Sequence, residues 1–182
     1  SENNKELILK YRDTCLLQQV CGKVRLIRVL QVLVLFADLL QKDFDQAVKE
    51  DLVAVVTKLM QHQPPYSAET LATYRAILKK FMAWIIAPDQ FPNLEQVPPM
   101  ISWLKTSARR RDIKKIQRKD LLTPSDINKL LFVCHNARDK ALVAMLWETG
   151  CRIAELGNLQ IKHLNKQKYG YTLDVTGKTG QR

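Results

Sequence analysis

Acidic residues are scarce in this chain, and every pattern that would hold a metal is missing. Eighteen Asp and Glu stand against 29 Lys and Arg among 182 residues, for a formal net charge of +11. A chain this basic is expected to meet a polyanion, with nucleic acid first. A merely solvated basic surface is the plain alternative. Cys15, Cys21, Cys134 and Cys151 contain no Cys-x-x-Cys pair, and His62, His135 and His163 are scattered. Neither set has zinc-ligand spacing, so no metal site is expected. Free thiols in a reducing compartment fit this cysteine usage. The most apolar run, Val29 to Leu40, is twelve residues broken by Gln31 and Asp38. It is too short to span a bilayer, and no signal peptide precedes it. The expected place is therefore the cytoplasm, with no membrane partner. No internal repeat or low-complexity tract is evident.

What is present is mostly helical pattern. Asn4 to about Val20 is a first helix, Lys23 to about Gln41 a second and Asp45 to Gln61 a third. The second carries Leu26, Leu30, Leu33, Ala37 and Leu40 on one stripe, and its other faces add Val32, Val34, Leu35 and Phe36. A helix this apolar all round is deeply packed or covered by a partner. Gln63-Pro64-Pro65-Tyr66 breaks the chain, and Ser67 caps a fourth helix with buried stripe Leu71, Tyr74, Leu78, Phe81 and Ile85. Pro88 and Pro92 end it, and Pro98-Pro99 open a further connection. Residues 1–104 thus read as a small bundle of four to five helices.

Residues 105–120 differ in kind. Lys105, Arg109, Arg110, Arg111, Lys114, Lys115, Arg118 and Lys119 face only Asp112 and Asp120. This is the composition of an interdomain linker and equally of a phosphate-binding strap. A second domain, 121–182, opens at Thr123-Pro124-Ser125-Asp126, a strong helix start. Leu130, Leu131 and Val133 follow. Asn136 begins the next helix, which turns Ala141, Leu142, Met145 and Leu146 inward and ends at Gly150. Residues 160–165 and 169–176 read as strands, and Gly177 and Gly180 mark the turn after them.

Two cations stand out in this second domain. Arg152 follows the Gly150 cap, and Glu155 lies one helical turn further on the same face. A carboxylate there can hold the guanidinium and leave its other donors for two phosphate oxygens. Spacing alone favours an ordinary surface ion pair. Lys178 sits in a predicted turn between glycines, where a solvated residue is the simpler reading. Gly177-Lys178-Thr179 does not complete a nucleotide-binding loop, because Thr172 stands where the earlier glycine is required.

Together these segments resemble the tyrosine recombinase (phage integrase) family. The resemblance covers most of the chain. The first hundred residues are similar to its core-binding domain, and Leu122 to Leu131 resembles the opening of its catalytic domain. Thr149-Gly150-Cys151-Arg152-Ile153-Ala154-Glu155-Leu156 resembles the segment with its first catalytic arginine, and Val175-Thr176-Gly177-Lys178 its hairpin lysine. The fold implied is mainly α: a core-binding bundle, a basic linker, then the helical and β-hairpin start of the catalytic domain. The implied chemistry is site-specific recombination or integration through a 3′-phosphotyrosyl link, with no metal or nucleotide cofactor. Arg152 would bind the scissile phosphate, Lys178 would protonate the departing 5′-oxygen, and Glu155 would orient Arg152.

The family also carries a His-x-x-Arg segment, a further His or Trp and the nucleophilic tyrosine, all beyond the hairpin. The chain stops at Arg182, and Tyr169 and Tyr171 precede Lys178, so about half of an active site is expected and no cleavage by the chain alone. The implied partners are double-stranded DNA, clamped between the two domains, and other protomers in a tetramer on DNA. Arg109, Arg110, Arg111, Lys114, Lys115, Arg118 and Lys119 would meet phosphates; Lys23, Arg25, Arg28, Arg75 and Lys79 are further candidates for groove or phosphate contact. Two other readings stay open: a recombinase-derived module that binds DNA without cutting, and a helical scaffold whose strap binds RNA or an acidic partner.

Overall fold

The computed structural model describes residues 1–109, 112–113, 116–177 and 180–181. Two compact units make up the chain, Ser1–Lys114 and Lys115–Arg182.

The first unit holds α1 (Glu2–Leu17), α2 (Lys23–Leu40), α3 (Lys49–Met60), α4 (Ala68–Ile86) and the single turn α5 (Pro99–Ser102). Helix α4 packs against α2, α3 and α5. Its Phe81 is fully buried and meets Tyr11 and Phe44 edge-on, at ring distances of 5.1 and 4.9 Å. Leu33, Phe36, Leu52, Leu78, Met82 and Ile101 complete the same core. Burial at this scale, about 25 cal/mol per Å² of apolar surface, is what holds helices of modest intrinsic propensity together.

Three boundaries differ from the sequence expectation, each for a local reason. Helix α1 stops at Leu17, because Gln19 adopts a left-handed conformation (φ 50°). The Val20 N–H then donates to the Cys15 carbonyl (3.0 Å) and the Gln19 N–H to that of Leu16 (3.3 Å), closing the helix end. Helix α3 begins at Lys49 rather than Asp45, since Phe44–Gln46 forms a 3-10 turn that buries Phe44. The buried Asn4 side chain fixes that turn, donating to the Lys42 carbonyl and accepting from the Phe44 N–H, both at 2.9 Å. Pro98-Pro99 do more than connect. Pro99 takes the first position of α5, where no N–H is needed, and the turn buries Ile101.

The second unit contains α6 (Pro124–Val133), α7 (Ala137–Thr149) and α8 (Ile153–Gly157). Two antiparallel ribbons follow: β1 (Leu164–Gln167) with β2 (Gly170–Leu173), and β3 (Thr176–Gly177) with β4 (Gly180–Gln181). Helix α6 starts as expected. Asp126 Oδ2 accepts from the Thr123 hydroxyl (2.6 Å) and N–H (3.0 Å), while the Thr123 hydroxyl oxygen accepts from the Asp126 N–H (3.3 Å). Those donors hold the Asp126 carboxyl below the usual carboxylate range, the Thr123 hydroxyl first.

The strand expectations need correction. Residues 161–163 form a 3-10 turn, so β1 starts only at Leu164. Strand β2 ends at Leu173, where the Asp174 N–H donates to the His163 carbonyl (2.9 Å) and its carboxylate accepts from Asn165 (2.8 Å). Ala141 and Leu142, expected to face inward, are exposed, as are Leu130 and Val133; the buried residue of α6 is Ile127. The core of this unit is Cys151, Leu156 and Val175, packed by Met145, Leu146, Leu159 and Leu173. Among the described residues no helix is long and apolar enough to cross a membrane, and no group of three His, Cys, Asp or Glu is gathered as a metal site.

Candidate phosphate-binding site

Arg152 is placed by a short run of local hydrogen bonds. The Thr149 hydroxyl ends α7 by donating to the Met145 carbonyl (2.6 Å), and its oxygen accepts from the Cys151 N–H (3.2 Å). Gly150 between them is left-handed (φ 62°), which glycine tolerates at no steric cost, and its N–H reaches the Leu146 carbonyl (3.1 Å). Cys151 then enters the core beside Leu156 and Val175. That burial leaves Arg152 at the head of α8 with extended backbone (φ −71°, ψ 150°).

Glu155 holds Arg152 at two points. Its Oε2 accepts from the Arg152 N–H (2.9 Å) and its Oε1 from Nη1 (2.7 Å). The two side chains differ sharply in exposure, 61% for Arg152 and 6% for Glu155. An ordinary surface pair, with both partners in water, contributes about 0–1 kcal/mol. Here a buried carboxylate holds an exposed guanidinium, and the consequence is geometric. Nη1 is held, and the largely exposed side chain has further donors with which a bidentate oxyanion could pair.

Strand β3 runs past the same carboxylate. A Cβ at Gly177 would lie 2.2 Å from Glu155 Oε1. Gly177 and Gly180 are paired across the β3–β4 ribbon, as are Thr176 and Gln181. Lys178, between them in sequence, lies outside the described residues, as do Arg110, Arg111, Lys114 and Lys115 of the strap.

The remaining candidates divide by engagement. Lys23, Arg25, Arg109, Arg118 and Lys119 are exposed. Arg28 donates to the Tyr74 hydroxyl (3.2 Å) and lies 5.8 Å from the centre of that ring. Arg75 Nε donates to the Leu71 carbonyl (3.2 Å) and Lys79 Nζ to that of Leu104 (3.4 Å), so both carry part of their hydrogen bonding within the fold. The sequence reading passed over Lys80, which with Arg25 lines a small cavity of about 60 Å³ beside Cys15 and Cys21. It also gave no role to Thr149 and took Gly177 only as a turn marker. A threonine just before a helix-capping glycine was a readable signal for Thr149. Nothing local signalled Gly177, whose contact lies 22 positions back in the chain.

No family model matches the chain, and no solved structure matches it. Among curated proteins, it is similar to the tyrosine recombinase XerA of Saccharolobus solfataricus, with 26% identity over 132 residues. The matched stretch covers 71% of this chain and 42% of that protein, so the chain spans less than half the length of its relative. This similarity suggests the tyrosine recombinase family.

Proposed function

We propose that this chain is the DNA-clamping and partly catalytic portion of a site-specific tyrosine recombinase. The observation that carries the reading is Arg152 at the head of α8, held by the buried Glu155 while its own side chain stays largely exposed. Residues 1–104 act as the core-binding domain, 105–120 as the basic linker and 121–182 as the first part of the catalytic domain. The partner is double-stranded DNA, and the working assembly is a tetramer of protomers on paired sites.

In this mechanism Arg152 binds two oxygens of the scissile phosphate and stabilises the charge that develops as the phosphate is attacked. Its guanidinium stays cationic at every working pH, so that contact persists through the reaction. Lys178 donates a proton to the departing 5′-oxygen. Glu155 keeps the guanidinium edge aligned without touching DNA. The nucleophile is a tyrosine of the complete gene product; Tyr169 and Tyr171, at the β1–β2 ribbon ahead of Lys178, do not take that part. The step transfers the phosphoryl group from the DNA 5′-oxygen to the tyrosine oxygen and needs no external energy source.

A nicked suicide duplex tests this, built on a sequence selected from a random pool for tight binding. The complete gene product is expected to form a covalent protein–DNA adduct that Arg152→Ala abolishes while duplex binding persists. Binding without any adduct would instead favour a module that occupies DNA and does not cut. Retention of adduct formation by Arg152→Ala would overturn the assignment of Arg152.

A further inference from the structure

Glu155 Oε1 accepts from the Arg152 fork and also lies close against β3 at Gly177. A real Cβ essentially never lies 2.2 Å from a carboxylate oxygen, so any side chain at position 177 would have to displace the Glu155 carboxylate. Gly177 differs in this from Gly157, at the end of α8, where an added Cβ would meet nothing within 4 Å. Nor does Gly177 have a left-handed backbone, unlike Gly150, Gly170 and Gly180. Close approach therefore explains it.

We propose that Gly177 is a positioning residue for Arg152. Its missing side chain lets β3 press against the Glu155 carboxylate, which then cannot swing away from the guanidinium. Any side chain at 177 must push Oε1 aside, and Oε1 is the atom that accepts from Arg152 Nη1 at 2.7 Å. One carboxylate thereby sets both the aim of Arg152 and the line of the strand that leads to Lys178. Its meaning for catalysis rests on the phosphate-site reading, but the contact exists without DNA and is measured without it.

Alanine at 177 places a methyl group on the carboxylate. Glu155→Asp withdraws that carboxylate by one methylene and still leaves an acid at the third helical position. The same fold shows that an aspartate closes such a cap, as Asp126 does on Thr123. The two changes form a double-mutant cycle.

The readout is the guanidinium NMR signal of Arg152 in the 182-residue chain, with the side chain labelled in ¹⁵N and assigned by loss in Arg152→Lys. Wild type and Gly157→Ala are expected to give a signal displaced from free arginine, with slowed N–H exchange. In Gly177→Ala that signal should collapse to the free-arginine position. In the Glu155→Asp background, adding Gly177→Ala should change nothing further. An unaltered Arg152 signal in Gly177→Ala overturns the inference, as does an equal change in both backgrounds. If Gly177→Ala fails to fold, the inference stands if the double variant folds, and falls if it unfolds while Glu155→Asp alone is folded. A held Arg152 signal that ignores saturating duplex DNA would count against the phosphate reading and leave the role of Gly177 intact.

Discussion

Glu155 reaches Arg152 through both of its oxygens, one on the backbone N–H and one on Nη1, at 2.9 and 2.7 Å. The backbone bond caps α8; the side-chain bond aims the guanidinium. A single carboxylate thus couples the start of a helix to the orientation of the cation at its head. On the proposed reading function and local folding share this one residue, so substitutions at 152 and at 155 should separate.

Arg152→Ala removes the guanidinium but keeps the backbone N–H that Glu155 Oε2 accepts. The fold of α8 should survive. In the complete gene product, cleavage of a suicide duplex should fall by about 10²–10³, the usual loss for one cation or donor at a developing charge. Duplex affinity, measured by filter binding, should change little, because it is spread over many phosphates. A helical scaffold that uses only its basic strap would show no loss of function at all.

Binding itself should be strongly salt-dependent. Each phosphate neutralised contributes about −0.9 to the slope of log K against log salt. Replacing Arg109, Arg118 and Lys119 by Ala, all exposed in the structure, should therefore flatten the slope by roughly 2.7 if each meets one phosphate. Anisotropy titrations across salt concentrations measure it. A flat dependence in the unaltered chain would contradict the clamp.

Acid should loosen the second unit through α6. The Thr123 hydroxyl and N–H hold the Asp126 carboxyl low, and the folded state therefore binds its proton less readily than the unfolded chain. This contribution is complete above the unfolded value, about pH 4, and is lost as pH falls through the lower folded value. Asp126→Asn should lower the melting temperature at pH 7, and the gap to wild type should narrow as pH drops below about 4. Melting curves over that range check the sign.

Phe81→Ala should cost about 3–5 kcal/mol in chemical denaturation, the usual result of emptying a buried aromatic site. Phe81 is fully buried between Tyr11, Phe44 and Trp84. Exposed apolar side chains offer the contrast. Val24→Ala, on the open side of α2, should move stability by no more than about 0.5 kcal/mol.

The elements readable in advance were those that local chemistry decides. Ser67 accepting from the Thr70 N–H, Thr123 with Asp126, Asn136 with the Asp139 N–H and left-handed Gly150 all follow from side chains within a few residues. The failures were tertiary. The Phe44 turn exists because Asn4, 40 positions earlier, satisfies its backbone. The inner face of α7 was misjudged because Ala141 and Leu142 look apolar in sequence, whereas the small core beside α7 takes Met145 and Leu146. At the site, the spacing of Arg152 and Glu155 was legible, but the burial of Glu155 was not. Spacing describes which residues share a helix face and cannot show that β3 closes over one of them.

The most direct measurement of the central claim is a duplex titration followed at Arg152. The 182-residue chain, labelled in ¹⁵N at its arginine side chains, is titrated with a pool-selected duplex. At physiological salt the account predicts that the Arg152 guanidinium signal shifts and saturates at the same DNA concentration as overall binding, as a phosphate takes the open edge of the fork. Saturated DNA binding with an unmoved Arg152 signal would contradict it.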